Sequence, residues 1–306
     1  MSEMIQALKG ALDYTQAYRG QTFVIKVGGE ILDRPEIMDG LAEQIALLDS
    51  LSIKIVLVHG GGPQATRLSR RLDLKSELVA GRRVTSPEVL EVAKMVYAGK
   101  LNVDLLSALR ARRVCALGLS GIDGFLVTAT KRPPVEVRDD DGNLRMVDFG
   151  EVGDIEDVKI DVLDLLMNAR QVPVIASLAA DERGAALNVN ADTMAEALAT
   201  ALDATKLIFL TNSPGLLRDS KDEQSLVTFA EPDDLIKLLE SGAVGSGMRP
   251  KVEACLRAVR NGVRRTHIID GRTEDSLLIE LFTGAGAGTM IVGRKEADSY
   301  RQEELS

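Results

Sequence analysis

Short apolar runs alternate with amphipathic stretches along most of the chain. Residues 22–27, 53–58, 172–177, 205–211, 266–269 and 289–292 are rich in Val, Ile and Leu over strand-like lengths, a pattern suited to strands buried on both faces. Between them, residues 38–51, 87–109, 193–201 and 250–261 carry apolar positions at helical spacing, with Asp192 and Pro250 at the starts of the last two. This alternation predicts an α/β fold with a mainly parallel sheet. The middle of the chain differs: the run from Phe125 to Ala129, a turn over Asp140 to Gly142 and alternation from Leu144 to Val147 predict hairpins beside the main sheet. A fresh strand at Thr205, followed by another Pro-Gly loop, puts a seam near residue 204 and favours two lobes. Met4, Ile5, Leu8 and Leu12 share one face of a helix that needs a partner surface, either its own domain or a neighbouring subunit.

Lys26 breaks this pattern. It closes an apolar run and is followed at once by Gly28 and Gly29 after Val27. A cation inside a buried strand is costly to desolvate unless an anion meets it there, and a phosphate fits. The second strand feeds a similar loop, His59-Gly60-Gly61-Gly62-Pro63, whose glycines forfeit backbone entropy and add no packing. Two such turns suggest one polyanionic ligand cradled by backbone N–H groups. Neither a Walker A pattern nor a dinucleotide fingerprint is present, so these glycines stand on their own terms.

Composition narrows the class. With 306 residues, 45% of them hydrophobic, the chain can bury one large core or two moderate ones. A formal charge of −9 without blocks of like charge argues against nonspecific nucleic-acid binding. The first twenty residues lack the apolar stretch of a signal or membrane segment, so a cytoplasmic location without membrane insertion is expected. Cys115 and Cys255 have no metal-ligand spacing and read as core thiols, and no metal-binding residues are expected.

Several polar residues have two readings each. Asp192 can cap the following helix or orient lysine ammoniums. Lys251 lies in the first turn of a helix, where the dipole disfavours a cation; it is either a solvated surface residue or the partner of an anion held there. Arg83 can be solvated or can grip a carboxylate bidentately. Thr85, Pro87 and Glu88 have the spacing of a capping box, which makes Thr85 structural. His59 and His267 show no acidic or nucleophilic partner at recognisable spacing, and neither reads as a general base.

Taken in order from about residue 20 to residue 293, a series of motifs resembles the amino-acid kinase family, and within it the branch that phosphorylates N-acetyl-L-glutamate. These are Lys26-Val27-Gly28-Gly29, the His59 loop, Gly81 to Thr85, Ala98-Gly99-Lys100-Leu101-Asn102, Gly118 to Gly124, Asn188 to Asp192, Thr211 to Gly215, and Gly247-Met248-Arg249-Pro250-Lys251. The resemblance implies a three-layer αβα sandwich of two lobes: residues 21–204 for substrate and 205–306 for nucleotide, with residues 1–20 as a possible oligomerisation helix. It implies that Lys26 and Lys251 neutralise the transferring phosphoryl group and that Asp192 positions them. Gly28, Gly29, Gly215, Gly247 and Met248 would serve the nucleotide, and Gly61, Gly62, Arg83 and Asn188 the acylated amino acid. ATP with Mg2+, held mainly by the phosphates, would phosphorylate the side-chain carboxylate, the second step of arginine biosynthesis. A homodimer, or a homohexamer built through residues 1–20, is implied as the assembly. The same chemistry on an acylated α-aminoadipate, or a kinase-fold domain that only binds an amino acid, are the alternatives. Ile122, Asn212 and Ser86 depart from that branch's usual pattern. The stretches Thr273 to Leu277 and Thr283 to Thr289 depart from that of its arginine-inhibited members.

Overall fold

The computed structural model describes residues 10, 12–74, 78–79, 82–138, 144–219, 221–242, 244–245, 247–283 and 286–293. The turn at Asp140 to Gly142 and the apolar positions Met4, Ile5 and Leu8 lie outside them. The strands in chain order are β1 (Thr22–Val27), β2 (Lys54–His59), β3 (Leu78–Val79), β4 (Arg82–Arg83), β5 (Ala116–Ser120), β6 (Val127–Lys131), β7 (Val135–Arg138), β8 (Leu144–Val147), β9 (Gly153–Val158), β10 (Val172–Ala176), β11 (Leu178–Ala180), β12 (Ala186–Asn188), β13 (Lys206–Thr211), β14 (Phe229–Ala230), β15 (Arg265–Asp270) and β16 (Gly288–Val292). The helices are α1 (Pro35–Ser50), α2 (Gly62–Arg71), α3 (Pro87–Lys94), α4 (Asn102–Ala111), α5 (Asp161–Asn168), α6 (Ala191–Ala201), α7 (Pro232–Glu240), α8 (Arg249–Arg260) and α9 (Ser276–Phe282).

The main sheet runs β14-β16-β15-β13-β1-β2-β10-β5. Its pairings are parallel except β15 with β16. Side-chain alternation divides the strands between two cores. Phe23, Ile25 and Val27 of β1 pack on one face with Leu41, Ile45 and Leu48 of α1 and Leu105 and Leu109 of α4. Val24 packs on the other face with Met194 and Leu198 of α6 and Val252 and Cys255 of α8. Helix, sheet, helix is therefore the layer order, the αβα sandwich. Lys26 has the parity of Val24, which places its ammonium under α6 and α8.

A second sheet, β12-β11-β6-β9, and the β7–β8 hairpin come largely from the middle segment. Phe125 is not in a strand as expected; it ends a 3₁₀ turn at φ 57° and is 80% exposed. The helix expected over residues 87–109 continues to Ala111 but widens into a π segment at Met95–Leu101. Its cap is Ser86, whose side chain accepts the Val89 N–H at 3.3 Å, one residue later than the capping-box spacing indicated. Cys255 is buried as expected, whereas Cys115 is exposed and is not a core thiol.

Candidate active site

The C-terminal ends of β1 and β2 open into a cleft of about 290 Å³, toward which the N-termini of α2, α6 and α8 also turn. Helix N-termini and the carboxyl ends of parallel strands favour anions for the same reason: unpaired N–H groups and the helix dipole face the ligand. Gly61 precedes α2 with no side-chain cap, so the first turn of that helix presents bare backbone.

Three charges meet at this cleft. Lys26 Nζ lies 2.8 Å from Asp192 Oδ1, and Lys251 Nζ donates to Asp192 Oδ2 at 3.3 Å. Lys251 Nζ also donates to the Gly247 carbonyl at 3.2 Å. Asp192 is buried in the second position of α6, and its backbone N–H is taken by Asn190, which is the cap of that helix. The capping role weighed for Asp192 is therefore overturned, because Asn190 stands two residues earlier in extended backbone. Burial pushes the Asp192 carboxyl up, but the two lysines outweigh it and hold the group below the usual aspartate range. Burial pulls Lys26 below the ordinary lysine value against the pull of Asp192, and Lys251 lowers it further. Two cations and one anion leave a net positive charge facing the cleft, which a phosphoryl group satisfies.

Gly29, Gly61, Gly62, Arg83 and Asn188 line the same cleft. Gly61 is demanded sterically: a Cβ there would come within 2.7 Å of Tyr97 Cδ1 and closer still to Leu101 Cδ1, both set by the π segment. Arg83 Nη2 donates to the Gly62 carbonyl at 2.7 Å and to Thr66 Oγ1 at 2.6 Å, anchoring the guanidinium beside the glycine loop. Asn188 Nδ2 donates to Thr85 Oγ1 at 3.1 Å, so Thr85 is structural, though by holding Asn188 and not by capping a helix. Gly28 lines no part of the cleft. Its N–H is used in the sheet, donating to the Leu210 carbonyl at 3.0 Å, which leaves Gly29 as the glycine of that pair lining the cleft. Gly215 packs against Leu226 and Thr289 at φ +149°, and Met248 precedes α8 against the core; neither these nor Gly247 lines the cleft.

Sequence reasoning missed Tyr97, Arg132 and Phe149. Arg132 reaches the cleft from just beyond β6, paired with Asp154 and set over the Phe149 ring at 5.7 Å. Its partners lie on β9 and in the connection that precedes it, so no local spacing reveals it. Nor did spacing reveal the partners of the histidines. His59 Nδ1–H donates to the Gly60 carbonyl at 2.9 Å, while Nε2 accepts from Asn102 at 3.3 Å. His267 does have an acidic partner: Lys206 Nζ can only donate to Nε2, so Nδ1–H donates to Glu280 at 2.6 Å. His59 ends β2 while His267 lies inside β15, and burial keeps both rings neutral.

The profile of the amino acid kinase family matches residues 21–270. Acetylglutamate kinase from Myxococcus xanthus is 49% identical over 287 residues, covering 94% of this chain and 93% of that protein. Acetylglutamate kinase from Methanothrix thermoacetophila is 43% identical, covering 94% and 97%. Among solved structures, N-acetylglutamate synthase from Neisseria gonorrhoeae, complexed with coenzyme A and N-acetyl-glutamate, superposes with a TM-score of 0.80 at 27% identity. That match covers 94% of this chain, which spans 63% of the synthase chain. Carbamate kinase from Giardia lamblia shares the fold, with a TM-score of 0.64 at 18% identity and coverage of 90% and 99%.

Proposed function

This chain belongs to the amino acid kinase family, and we infer that it transfers the γ-phosphoryl group of ATP to the side-chain carboxylate of N-acetyl-L-glutamate, an arginine-biosynthesis step that yields an acyl phosphate. The observation that carries this reading is the convergence of Lys26 and Lys251 on the two oxygens of one buried carboxylate, beside two glycine turns.

The chemistry follows from the charges. A carboxylate nucleophile is already ionised at pH 7, so no general base is required, in keeping with two histidines locked as neutral structural groups. What the transfer needs is positioning and neutralisation of the oxygens of the migrating group. Lys26 and Lys251 supply the positive charge, and Asp192 keeps the two ammoniums from separating. Arg83, anchored to Gly62 and Thr66, receives the α-carboxylate, with Asn188 beside it. Gly29, Gly61 and Gly62 present backbone to the phosphates and the substrate. Magnesium bound with the nucleotide would supply further charge neutralisation. With Asp192 already engaged by both lysines, the nucleotide's phosphates would be its principal ligands. In this reading residues 21–204 form the substrate lobe and residues 205–306 the nucleotide lobe, with Gly215, Gly247 and Met248 on the nucleotide side.

Relatives at 40–49% identity bear the acetylglutamate kinase name, which favours that acid over an acylated α-aminoadipate. The intact charge triad favours an enzyme over a domain that only binds. No described helix is long and apolar enough to cross a membrane, and a cytoplasmic enzyme is part of the proposal. So is a homodimer, or a hexamer linked through residues 1–20, which light scattering before and after deletion of that segment tests. The deciding assay is ATP-dependent acyl phosphate formation with each acid. Turnover of N-acetyl-L-glutamate is expected, and its absence at millimolar concentration overturns the assignment.

A further inference from the structure

Resting on this phosphoryl-transfer reading, we propose that Gln64 is a positioning residue: it ties the Gly28-Gly29 turn to the glycine triplet and aims the Glu30 N–H at the transferring phosphoryl group. Gln64 lies in the first turn of α2 and is 6% exposed. Its Nε2 donates to the Gly29 carbonyl at 2.6 Å and to Asp33 Oδ1 at 2.8 Å. One turn further along α2, Arg67 Nη1 donates to Asp33 Oδ2 at 2.8 Å. These bonds clip residues 29–33 to α2, so the two phosphate-facing turns move as one piece.

The two acceptors decide which end of the amide carries nitrogen, since the reverse orientation would set Oε1 against two oxygens. The consequence is that Oε1 is buried without a hydrogen-bond partner. A lone buried carbonyl oxygen costs stability, and an apolar side chain of the same length would avoid that cost. The two bonds donated by Nε2 offset that cost, and what they fix is the orientation of the Gly29–Glu30 peptide. In a trans peptide the C=O and N–H point in opposite directions, and the described chain contains no cis bond. Holding the Gly29 carbonyl on the α2 side turns the Glu30 N–H away from it. Gly29 and Glu30 both line the cleft with Lys26, and neither backbone N–H donates to another described residue.

Gln64→Met tests the proposal by kinetics and by amide NMR on the full chain. With N-acetyl-L-glutamate and ATP, kcat is expected to fall about tenfold to a hundredfold, KM for the acid to stay within about twofold, and the fold to persist with a lowered Tm because the Gly29 carbonyl loses its donor. The isosteric Gln64→Glu, which sets a carboxylate against Asp33, is expected to lose kcat similarly and serves if the Met variant does not fold. Separately, a nonhydrolysable ATP analogue with magnesium is expected to shift the Glu30 and Gly29 amide resonances of the wild type and to leave that of Glu30 unshifted in the variants. An unchanged kcat, a parallel rise in KM, or wild-type Glu30 resonances indifferent to the analogue would each overturn the proposal. A wild type inactive on N-acetyl-L-glutamate but with the analogue-induced shift would sink the substrate assignment and leave the role of Gln64 standing.

Discussion

Asn190 Oδ1 accepts the backbone N–H of Asp192 at 2.8 Å, and that of Thr193 at 3.0 Å, so α6 is capped without the Asp192 carboxylate. One residue serves the helix, which leaves the carboxylate of its near neighbour to the two lysines. Asp192→Asn keeps the cap and removes the charge between Lys26 and Lys251. It is expected to lower kcat by about a hundredfold or more, while the far-UV circular dichroism stays that of the wild type. A kcat within twofold of wild type would show that the lysines need no intervening anion.

Lys251 reaches Asp192 from the opposite side to Lys26 and is the more exposed of the two. Lys251→Ala is therefore expected to keep the fold and reduce turnover by about two to three orders of magnitude, with little change in KM for the acid. Steady-state kinetics beside a melting curve check both parts. An unchanged rate would transfer the phosphate-neutralising role to another group.

Gly61 and Gly62 separate steric from conformational demands. A Cβ on Gly61 would overlap Tyr97 and Leu101, so Gly61→Ala is expected to cost about 1–3 kcal/mol by urea denaturation and to raise KM for the acid. A Cβ on Gly62 finds Arg83 Nη2 as its nearest neighbour at 3.8 Å, at the first position of α2, and Gly62→Ala is expected to remain within about 0.5 kcal/mol of wild type. Equal losses in both variants would contradict this packing.

Burial lowers His59 and His267 from 6.5 to about 4. For His267 the Lys206 ammonium and Arg265 reinforce burial, and Glu280 opposes it. The unfolded chain takes up a proton near pH 6.5 that each folded ring refuses until about pH 4. Stability is thus full above about pH 6.5 and falls as pH drops toward 4, by up to about 1.4 kcal/mol per pH unit for each ring. Urea midpoints between pH 7 and pH 4.5 measure the slope, and His267→Gln should remove one proton's share of it. The same slope in wild type and variant would mean that His267 is charged in the fold.

What could be read in advance follows from whether a signal is local. Lys26 stood out because a charge in an apolar strand violates the pattern around it, and the glycine triplet because it gives no packing. Helix α2 was not anticipated: its Gly-Pro start and Arg-rich, polar sequence lack an apolar stripe. Strand β5 was also missed, since it is a half-exposed edge with Gly118 at its centre. Asp192 was weighed as a cap because both Asn and Asp suit that position, and only backbone geometry shows which one bends. The Lys206–His267–Glu280 chain joins residues 61 and 13 positions apart and exists only once the strands are paired.

The charge cluster of the cleft is drawn from positions 26, 192 and 251, the last of them nearly halfway through the final third of the polypeptide. A ribosome-bound intermediate that has already laid down its first strands and α6 would hold Lys26 and Asp192 but lack the second ammonium. The pairing of one buried carboxylate with two ammoniums is therefore possible only once the chain has been made at least as far as α8.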